Sequence, residues 1–585
     1  MNDGEGEELI RKLIPYVKKY KNYAIASPLL IVGEVVLEVL IPLMMARIVD
    51  IGIASQDLNY VLKIGGIMIL MTLFSLAFGA LAGRMAAVAS MGFACELRTA
   101  MFEKIQSFSF SGIDKFSTAS LITRLTTDVT NTQTIAQMLL RVVVRAPLML
   151  LCAIGMALYI NARLTRIFLV AAVILMGGVG LIMSRAYPRF RIMMEKYDRL
   201  NGRVQENLTA IRTVKSYVRE PYEKMRFQGA ADSLLLAQKR AEKLAILSMP
   251  LMMLVMYSCI LAVCWFGGNF IVIGTMKAGE LISFISYTTQ IMASLMMVAV
   301  IMLSLVLSRA SAARMIEVLE EVPDISDPEP DVDTPEEVSD GSVRFEGVSF
   351  RYGGPDSRMA LRNIHLEIHS GETVGIIGGT GSAKTTLVQL ISRLYDATEG
   401  RVLVGGRDVK EYPLHVLRDS VAMVLQKNLL FSGTIEENLR WGDVSATREE
   451  LVRACEAAAA RSFIESFPDG YQTDLGQGGV NVSGGQKQRL CIARALLKHP
   501  KIMILDDSTS AVDMKTDAQI RKALKERLSD MTTILIAQRV SSICDADRII
   551  VLENGEISGV GTHEELLKTN AVYKEIYDSQ QREVE

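Results

Sequence analysis

The chain has 585 residues, 63 Lys and Arg against 65 Asp and Glu, and half of its side chains apolar. That length exceeds what one hydrophobic core sustains and points to two or more domains. The balanced charge leaves no basic footprint for nucleic acid. A mean hydropathy of +0.26 with 22% charged residues excludes a disordered chain and argues against an ordinary cytosolic enzyme. Seven cysteines stand singly with no CxxC pair, which indicates neither a disulfide framework nor a zinc site. His365 and His369 fall four apart in a strand-like stretch, ~13 Å end to end, too far to share a metal.

The N-terminus is acidic from Asp3 to Glu8, then basic and amphipathic through Lys19, without the pattern of a cleavable signal. Six apolar runs follow, near Tyr23–Met45, Ile64–Gly83, Val142–Ile160, Ile167–Met183, Leu244–Phe266 and Leu281–Leu307. About 20 helical residues cross a ~30 Å hydrocarbon layer, so each run spans or nearly spans one. Runs one and two, three and four, and five and six are joined by short links. Runs two and three, and four and five, are separated by long intervals with apolar residues at helical spacing. These intervals hold most of the Lys and Arg of this half, including Arg98, Lys104, Arg124, Arg203 and Lys215. The positive-inside rule therefore places both intervals and both termini in the cytoplasm.

Glu320–Asp340 is acidic and interrupted by Pro323, Pro328, Pro330 and Pro335, which reads as a linker. The expected division is a membrane domain over residues 1–320, a linker over 321–340 and a second domain over 341–585. In that second domain, short β-like runs (Val343–Phe350, Glu372–Ile377, Val421–Val424, Ile502–Leu505, Thr533–Ile536, Arg548–Leu552) alternate with helical patterns. The fold class is thus an α-helical polytopic membrane domain plus an α/β domain with a largely parallel sheet.

Within it, the strand Val374–Ile377 runs into Gly378-Gly379-Thr380-Gly381-Ser382-Ala383-Lys384-Thr385-Thr386 and a helix. Strand, glycine-rich turn and helix make a phosphate-binding loop: backbone N–H groups wrap the phosphates, Lys384 reaches their outer oxygens and Thr385 ligates Mg²⁺. Ala383 stands where the rule asks for the last glycine. Ile502–Leu505 ends in Asp506-Asp507, a Walker B arrangement, with Asp506 toward the magnesium shell and Asp507 toward the attacking water. Ser483-Gly484-Gly485-Gln486, at the head of the helix containing Ile492–Leu497, forms a second phosphate cradle.

With these motifs in this order, the chain resembles a half-transporter of the ATP-binding cassette exporter family, six membrane helices fused to one nucleotide-binding domain. Tyr352 lies early in the domain, Gln426 in the Q-loop, Ser510-Ala511-Val512-Asp513 in the D-loop and Gln538 at the switch position. The resemblance implies that ATP is held by Tyr352, Gly379 through Thr386 and Gln426, and that Thr385, Gln426 and Asp506 hold Mg²⁺. Each ATP would lie between one chain's Walker motifs and the Ser483, Gly485 and Gln486 positions of another chain. It also implies coupling helices at the turns of the two long intervals, Ser109–Ser120 and Arg219–Phe227.

Three departures fall in one site. Asp507 replaces the family's Glu, Gln538 replaces its His, and Ala383 replaces a Gly, while Ser483-Gly484-Gly485-Gln486 is intact. This pattern is similar to the degenerate-site subunit of heterodimeric bacterial multidrug exporters, as are the stretches Ser120–Leu125 and Leu139–Pro147. The expectation is an exporter of hydrophobic or amphipathic compounds in the cell membrane, partnered by a second half-transporter. The other readings are a slow homodimer, a lipid flippase, a lipid or peptide exporter, and a nucleotide-gated regulatory protein. With no further domain expected ahead of the first run, leader-peptide processing is not indicated. Methionines crowd runs five and six (Met249, Met252, Met253, Met256, Met292, Met296, Met297, Met302), and Glu34 and Glu38 sit one helical turn apart inside run one.

The isolated chain is expected to bind Mg-ATP yet turn it over slowly, because Lys384, Thr385 and Asp506 remain while the Asp507 carboxylate stands roughly 1 Å short; such a displacement costs about 10²-fold in rate. Asp507→Glu should recover only part of that loss, since Gln538 and Ala383 persist. A nucleotide-binding titration at millimolar ATP and a steady-state phosphate-release assay check both halves.

Overall fold

A computed structural model of the chain describes residues 11–329, 334–354, 357–507, 512–527 and 530–582. The N-terminal acids Asp3–Glu8, Pro330, and Ser510 and Ala511 of the D-loop fall outside that set. By compactness the chain divides into a helical unit, residues 1–104 and 119–320, and a second unit made of residues 105–118 and 321–585.

The helical unit consists of α1 (Lys21–Arg47), α2 (Leu58–Gln106, whose last two residues join the second unit), α4 (Val129–Thr209), α5 (Glu220–Ala245), α6 (Ser248–Val272) and α7 (Ala278–Glu320), with α3 (Phe110–Phe116) belonging to the second unit. Among the described residues, five continuous helical segments are long and apolar enough to cross a membrane. They carry the six apolar runs because α4 contains two of them. The link expected between runs three and four is reduced to Asn161, the one residue of α4 with non-helical backbone (φ −157°, ψ 102°). Its Oδ1 accepts hydrogen bonds from the N–H groups of Arg163 (3.0 Å) and Leu164 (3.2 Å), so Asn161 acts as an N-cap for run four.

Burial follows helical spacing. Ile31, Val35 and Val39 on α1, Leu164, Phe168, Ala171 and Leu175 on α4, Val255, Cys259 and Val263 on α6, and Phe284, Tyr287, Ile291 and Leu295 on α7 form one apolar cluster. The opposite faces are apolar too, but exposed: Leu29, Leu73, Leu151, Leu261 and Trp265 all face outward. Apolar side chains both inside and outside are what a hydrocarbon solvent permits. The methionines divide between these environments: Met292 is buried, whereas Met249, Met253, Met296 and Met297 are exposed. They do not share one face.

Beyond the apolar runs, ion pairs take over. Arg314 of α7 grips the buried carboxylate of Asp128 through Nε (2.8 Å) and Nη2, and Arg124 bonds the Arg314 carbonyl (2.6 Å) and Glu317 (2.8 Å). The second long interval turns earlier than its expected coupling segment. A short helix, Ile211–Ser216, is followed by a turn in which Val218 has φ +51°, and Pro221 in the first turn of α5 starts the return. Proline is favoured at such a start because its missing N–H has no partner there anyway.

The second unit holds two main sheets. One is antiparallel, in the order β2 (Met359–Ile368), β1 (Val343–Arg351), β4 (Glu399–Val404), β5 (Arg407–Asp408). The other comprises β3 (Thr373–Gly378), β6 (Val421–Val424), β9 (Ile502–Asp506), β10 (Thr532–Ile536), β11 (Arg548–Glu553) and β12 (Glu556–Gly561), in the order β12-β11-β3-β10-β9-β6 and parallel except for β12; β7 (Gly433–Thr434) and β8 (Asp474–Leu475) pair separately. The expected parallel sheet is present. Val343–Phe350, however, joins the antiparallel one, because only a short connection separates β1 from β2 and a parallel pairing needs a crossover of a dozen or more residues.

Arg314→Ala would leave the buried Asp128 carboxylate without its main donor. The expected loss is roughly 1–3 kcal/mol of stability, the cost of orphaning a buried polar group. It should appear as a lower unfolding midpoint of the detergent-solubilised protein, with Asp128→Asn in the same background recovering part of it.

Candidate nucleotide site

Parallel register assembles the site. Ile536 of β10 pairs with Ile376 of β3 on one side and with Asp506 of β9 on the other, and Val424 of β6 pairs with Leu505. The carboxyl ends of four strands therefore finish at one level, and the residues just beyond them converge. Ligands in open α/β sheets bind at such strand ends.

The loop after β3 leads into α8 (Lys384–Ile391). Gly378 must be glycine, since a Cβ there would run into the Leu552 carbonyl, whereas at Gly379 and Gly381 a Cβ would meet open space. The Lys384 ammonium donates to the carbonyls of Gly378 (2.8 Å) and Gly379 (3.0 Å), and burial holds its pKa below the ordinary lysine value. Ser382 is buried, Thr380 is exposed, and Thr386 is buried with its hydroxyl 2.9 Å from the Tyr352 hydroxyl. The Thr386 side chain thus faces Tyr352 rather than the mouth of the loop. Ala383 adopts φ +70°, ψ 27°, a left-handed conformation that glycine takes freely and alanine does not. Its methyl rests against the apolar cluster beneath the loop, so the departure is felt in backbone torsion.

Asp506 is buried. Its Oδ1 accepts from the Thr385 hydroxyl (3.1 Å), while Oδ2 is buried with no hydrogen-bond partner. A buried carboxylate oxygen without a donor, beside a hydroxyl oxygen, suits a hard divalent cation. Burial raises the carboxyl pKa of both Asp506 and Asp507 above the usual carboxylate range. Asp507 sits at φ +48°, and its Oδ2 accepts from the amides of Gln538 (2.8 Å) and Gln426 (3.4 Å). Gln580 in the terminal helix Ala571–Arg582 clasps the switch segment, donating to the Gln538 carbonyl (2.7 Å) and accepting from the Val540 N–H (2.8 Å).

Tyr352 is 42% exposed, with one edge against Phe350 and Tyr395 at centroid distances of 4.8 and 5.3 Å. Tyr395 in turn touches Phe110 of α3 and donates to Asp114 (2.7 Å). Asp324 accepts from the hydroxyls of Ser109 and Ser111 at the head of the same helix. Residues 109–116 thereby pack inside the nucleotide-binding unit, next to the aromatic group at its entrance.

Tyr352, Gly379 through Thr386, Gln426, Asp506, Asp507 and Gln538 line one cavity of about 880 Å³, together with Arg358, Met359, Ala360, Asn554 and Ile576. Sequence reasoning missed the last five. Asn554-Gly555 carried a signal, a two-residue hairpin turn with both residues at positive φ; the others reach the wall only through long-range folding. Ser483, Gly485 and Gln486 are not in that lining. Ser483 caps α9 (Gly484–Leu496) in a reciprocal box: its Oγ accepts from the Gln486 N–H (3.3 Å), and its own N–H donates to the Gln486 side chain (2.8 Å). The cap uses a lone pair and leaves the Ser483 hydroxyl proton available to another acceptor.

The cradle, the ammonium, the hydroxyl–carboxylate pair and the exposed aromatic edge fit a magnesium nucleoside triphosphate, which supplies the transferable phosphoryl group. The comparisons agree. The ABC transporter transmembrane region matches residues 24–295, and the ABC transporter nucleotide-binding region matches residues 361–510. The chain is 40% identical over 571 residues, 98% of both proteins, to the uncharacterized ABC transporter ATP-binding protein YfiB of Bacillus subtilis. It is 33% identical, over 83% of each chain, to the putative multidrug export ATP-binding/permease protein YgaD of the same organism. A solved bacterial Atm1-family ABC exporter with ATP bound superposes with a TM-score of 0.77 at 25% identity, over 98% of this chain and 99% of that one.

Replacing Ala383 by Gly should relieve the left-handed strain, for a net gain of roughly 0.5–1 kcal/mol once the added freedom of the unfolded chain is subtracted. Chemical denaturation of the full chain, followed through the nucleotide-binding unit, checks this; a loss of stability would contradict it. An ABC membrane region and an ABC ATPase domain joined in one polypeptide place this chain in the ABC transporter family, with the half-transporter fold of its exporters.

Proposed function

We propose that the chain is one half of a two-chain exporter in the cell membrane, with its termini and ATPase domain in the cytoplasm, moving hydrophobic or amphipathic compounds outward. In this reading its own ATP site is weakly hydrolytic, and its Ser483 region completes the competent site of a different partner chain. ATP is held by Tyr352, the Gly379–Thr386 loop and Gln426; Mg²⁺ is held by Thr385, Gln426 and Asp506.

The observation that carries the reading is the condition of the two half-sites. At its own Walker site, the short Asp507 carboxylate is engaged by two amides, Gln426 and Gln538, and neither amide can take up a proton to become cationic. At the other half-site, Ser483 keeps its cap geometry and a free hydroxyl proton outside the cavity. An intact donor there is useful only to a nucleotide bound on another chain. Likeness to a putative multidrug exporter supports the substrate class, and the packing of residues 109–116 beside the aromatic entrance supports a coupling role for that helix.

Mutation should therefore act asymmetrically. In the co-purified complex, Asp507→Asn should leave most ATP hydrolysis intact, whereas Ser483→Ala should lower it about 10²–10³-fold, the usual effect of removing one transition-state donor. Because Ser483 is also a helix cap, its loss alone costs about 1 kcal/mol of stability, so thermal unfolding of each variant is measured alongside. Equal losses from both changes, or an active complex made of this chain alone, would favour the homodimer. ATP-driven flux of headgroup-labelled lipid, in place of drug-like compounds, would favour a flippase, and hydrolysis without any flux would favour a regulatory role.

A further inference from the structure

Glu34 and Glu38 are the only charged residues in the apolar run Tyr23–Met45. Glu34 stands midway between Lys21 and Arg47, about 20 Å of helix from each end of α1, which is the depth of the hydrocarbon midplane. Its carboxylate lies in a notch left by Gly79 of α2, where a Cβ would come within 3.0 Å of Oε1. From α4, Arg145 reaches both acids: Nη1 is 3.1 Å from Glu34 Oε1, and Nη2 is 2.8 Å from Glu38 Oε2.

Two carboxylates thus share one guanidinium. The other cation on this stretch of α4, Arg141, lies one turn away, with its guanidinium bordering Gly83. Glu34 is only 7% exposed, and its Oε2 is buried without any hydrogen-bond donor. The Glu38 and Arg145 side chains are 34% and 29% exposed, so the group is sealed on one side and open on the other. Charged residues at this depth face a bundle interior or a water-filled cavity and mark ligand or ion paths.

We propose that the Glu34–Arg145–Glu38 triad is a binding site for the cationic head of an amphipathic ligand, specifically a protonated amine. This rests on the export reading above and narrows its substrate class. A protonated amine brings the positive charge that the second carboxylate lacks and also an N–H donor for the orphaned Glu34 oxygen. A quaternary ammonium brings the charge alone, a neutral compound brings neither, and an anion meets two carboxylates. Glu38 and Arg145 form the open side where the amine arrives.

The test uses the two-chain complex in proteoliposomes, with ATP-driven uptake of a lipophilic dye carrying a protonated tertiary amine and of its uncharged isostere. Glu38→Gln should lower transport of the amine relative to the isostere by about 10-fold or more, as expected for loss of one partner of a desolvated charge pair. If that variant does not assemble, competition in the unmodified complex replaces it: the amine should block dye uptake at a concentration about 10-fold or more below that of the isostere. Equal handling of amine and isostere by the unmodified complex and by Glu38→Gln would overturn the inference and leave the export reading standing. Transport of neither compound by the unmodified complex would remove the export reading, and this inference with it.

Discussion

Everything in the nucleotide site depends on the level at which four parallel strands stop. Because Ile536 pairs with both Ile376 and Asp506, the phosphate loop, the paired carboxylates and the switch residue leave the sheet side by side. No hydrogen bond between these side chains would survive a slip of one residue, since each slip turns every strand residue to the opposite face. The apolar strands Val374–Ile377 and Ile502–Leu505, buried on both faces, hold that register.

The helical unit is organised by the opposite rule. Its residues are apolar inside and out, so burial cannot specify which face goes where. Polar contacts fix particular neighbours, among them Ser283 and Tyr287 of α7 donating to the Pro42 and Val39 carbonyls of α1, Arg145 spanning two acids, and Arg314 holding Asp128. Where such contacts are buried, an unpaired partner is costly, and they supply the registration that apolar packing lacks.

Local motifs were the legible part of this chain. The phosphate loop needs only a strand, a turn and a helix in succession, so Lys384 and Thr385 could be placed from spacing, and hydropathy located the six runs. What depended on distant pairing was hidden. Ile576 and Arg358 reach the cavity only after the sheet has formed, β1 and β4 pair across more than fifty residues, and nothing around Tyr395 announces its contact with Phe110. The short link expected between runs three and four comes down to one capping residue, Asn161, which the pattern of apolar runs does not single out. In the second interval the chain turns just ahead of Glu220, where Pro221 begins α5, a local feature that apolar spacing alone does not mark. At Ala383 the sequence shows the departure from glycine, and the backbone shows where it is felt, in a left-handed torsion.

The length of α4 has a mechanical consequence. From the middle of run four to Thr209 the helix extends for about 50 Å, with no break among its residues beyond Asn161. A rod of that length behaves as a lever: a tilt of roughly 5° about its run-four end carries the far tip about 4 Å. A displacement at Thr209 is therefore reduced at every point nearer the pivot, in proportion to its distance from it, a gearing set by the length of unbroken helix beyond run four.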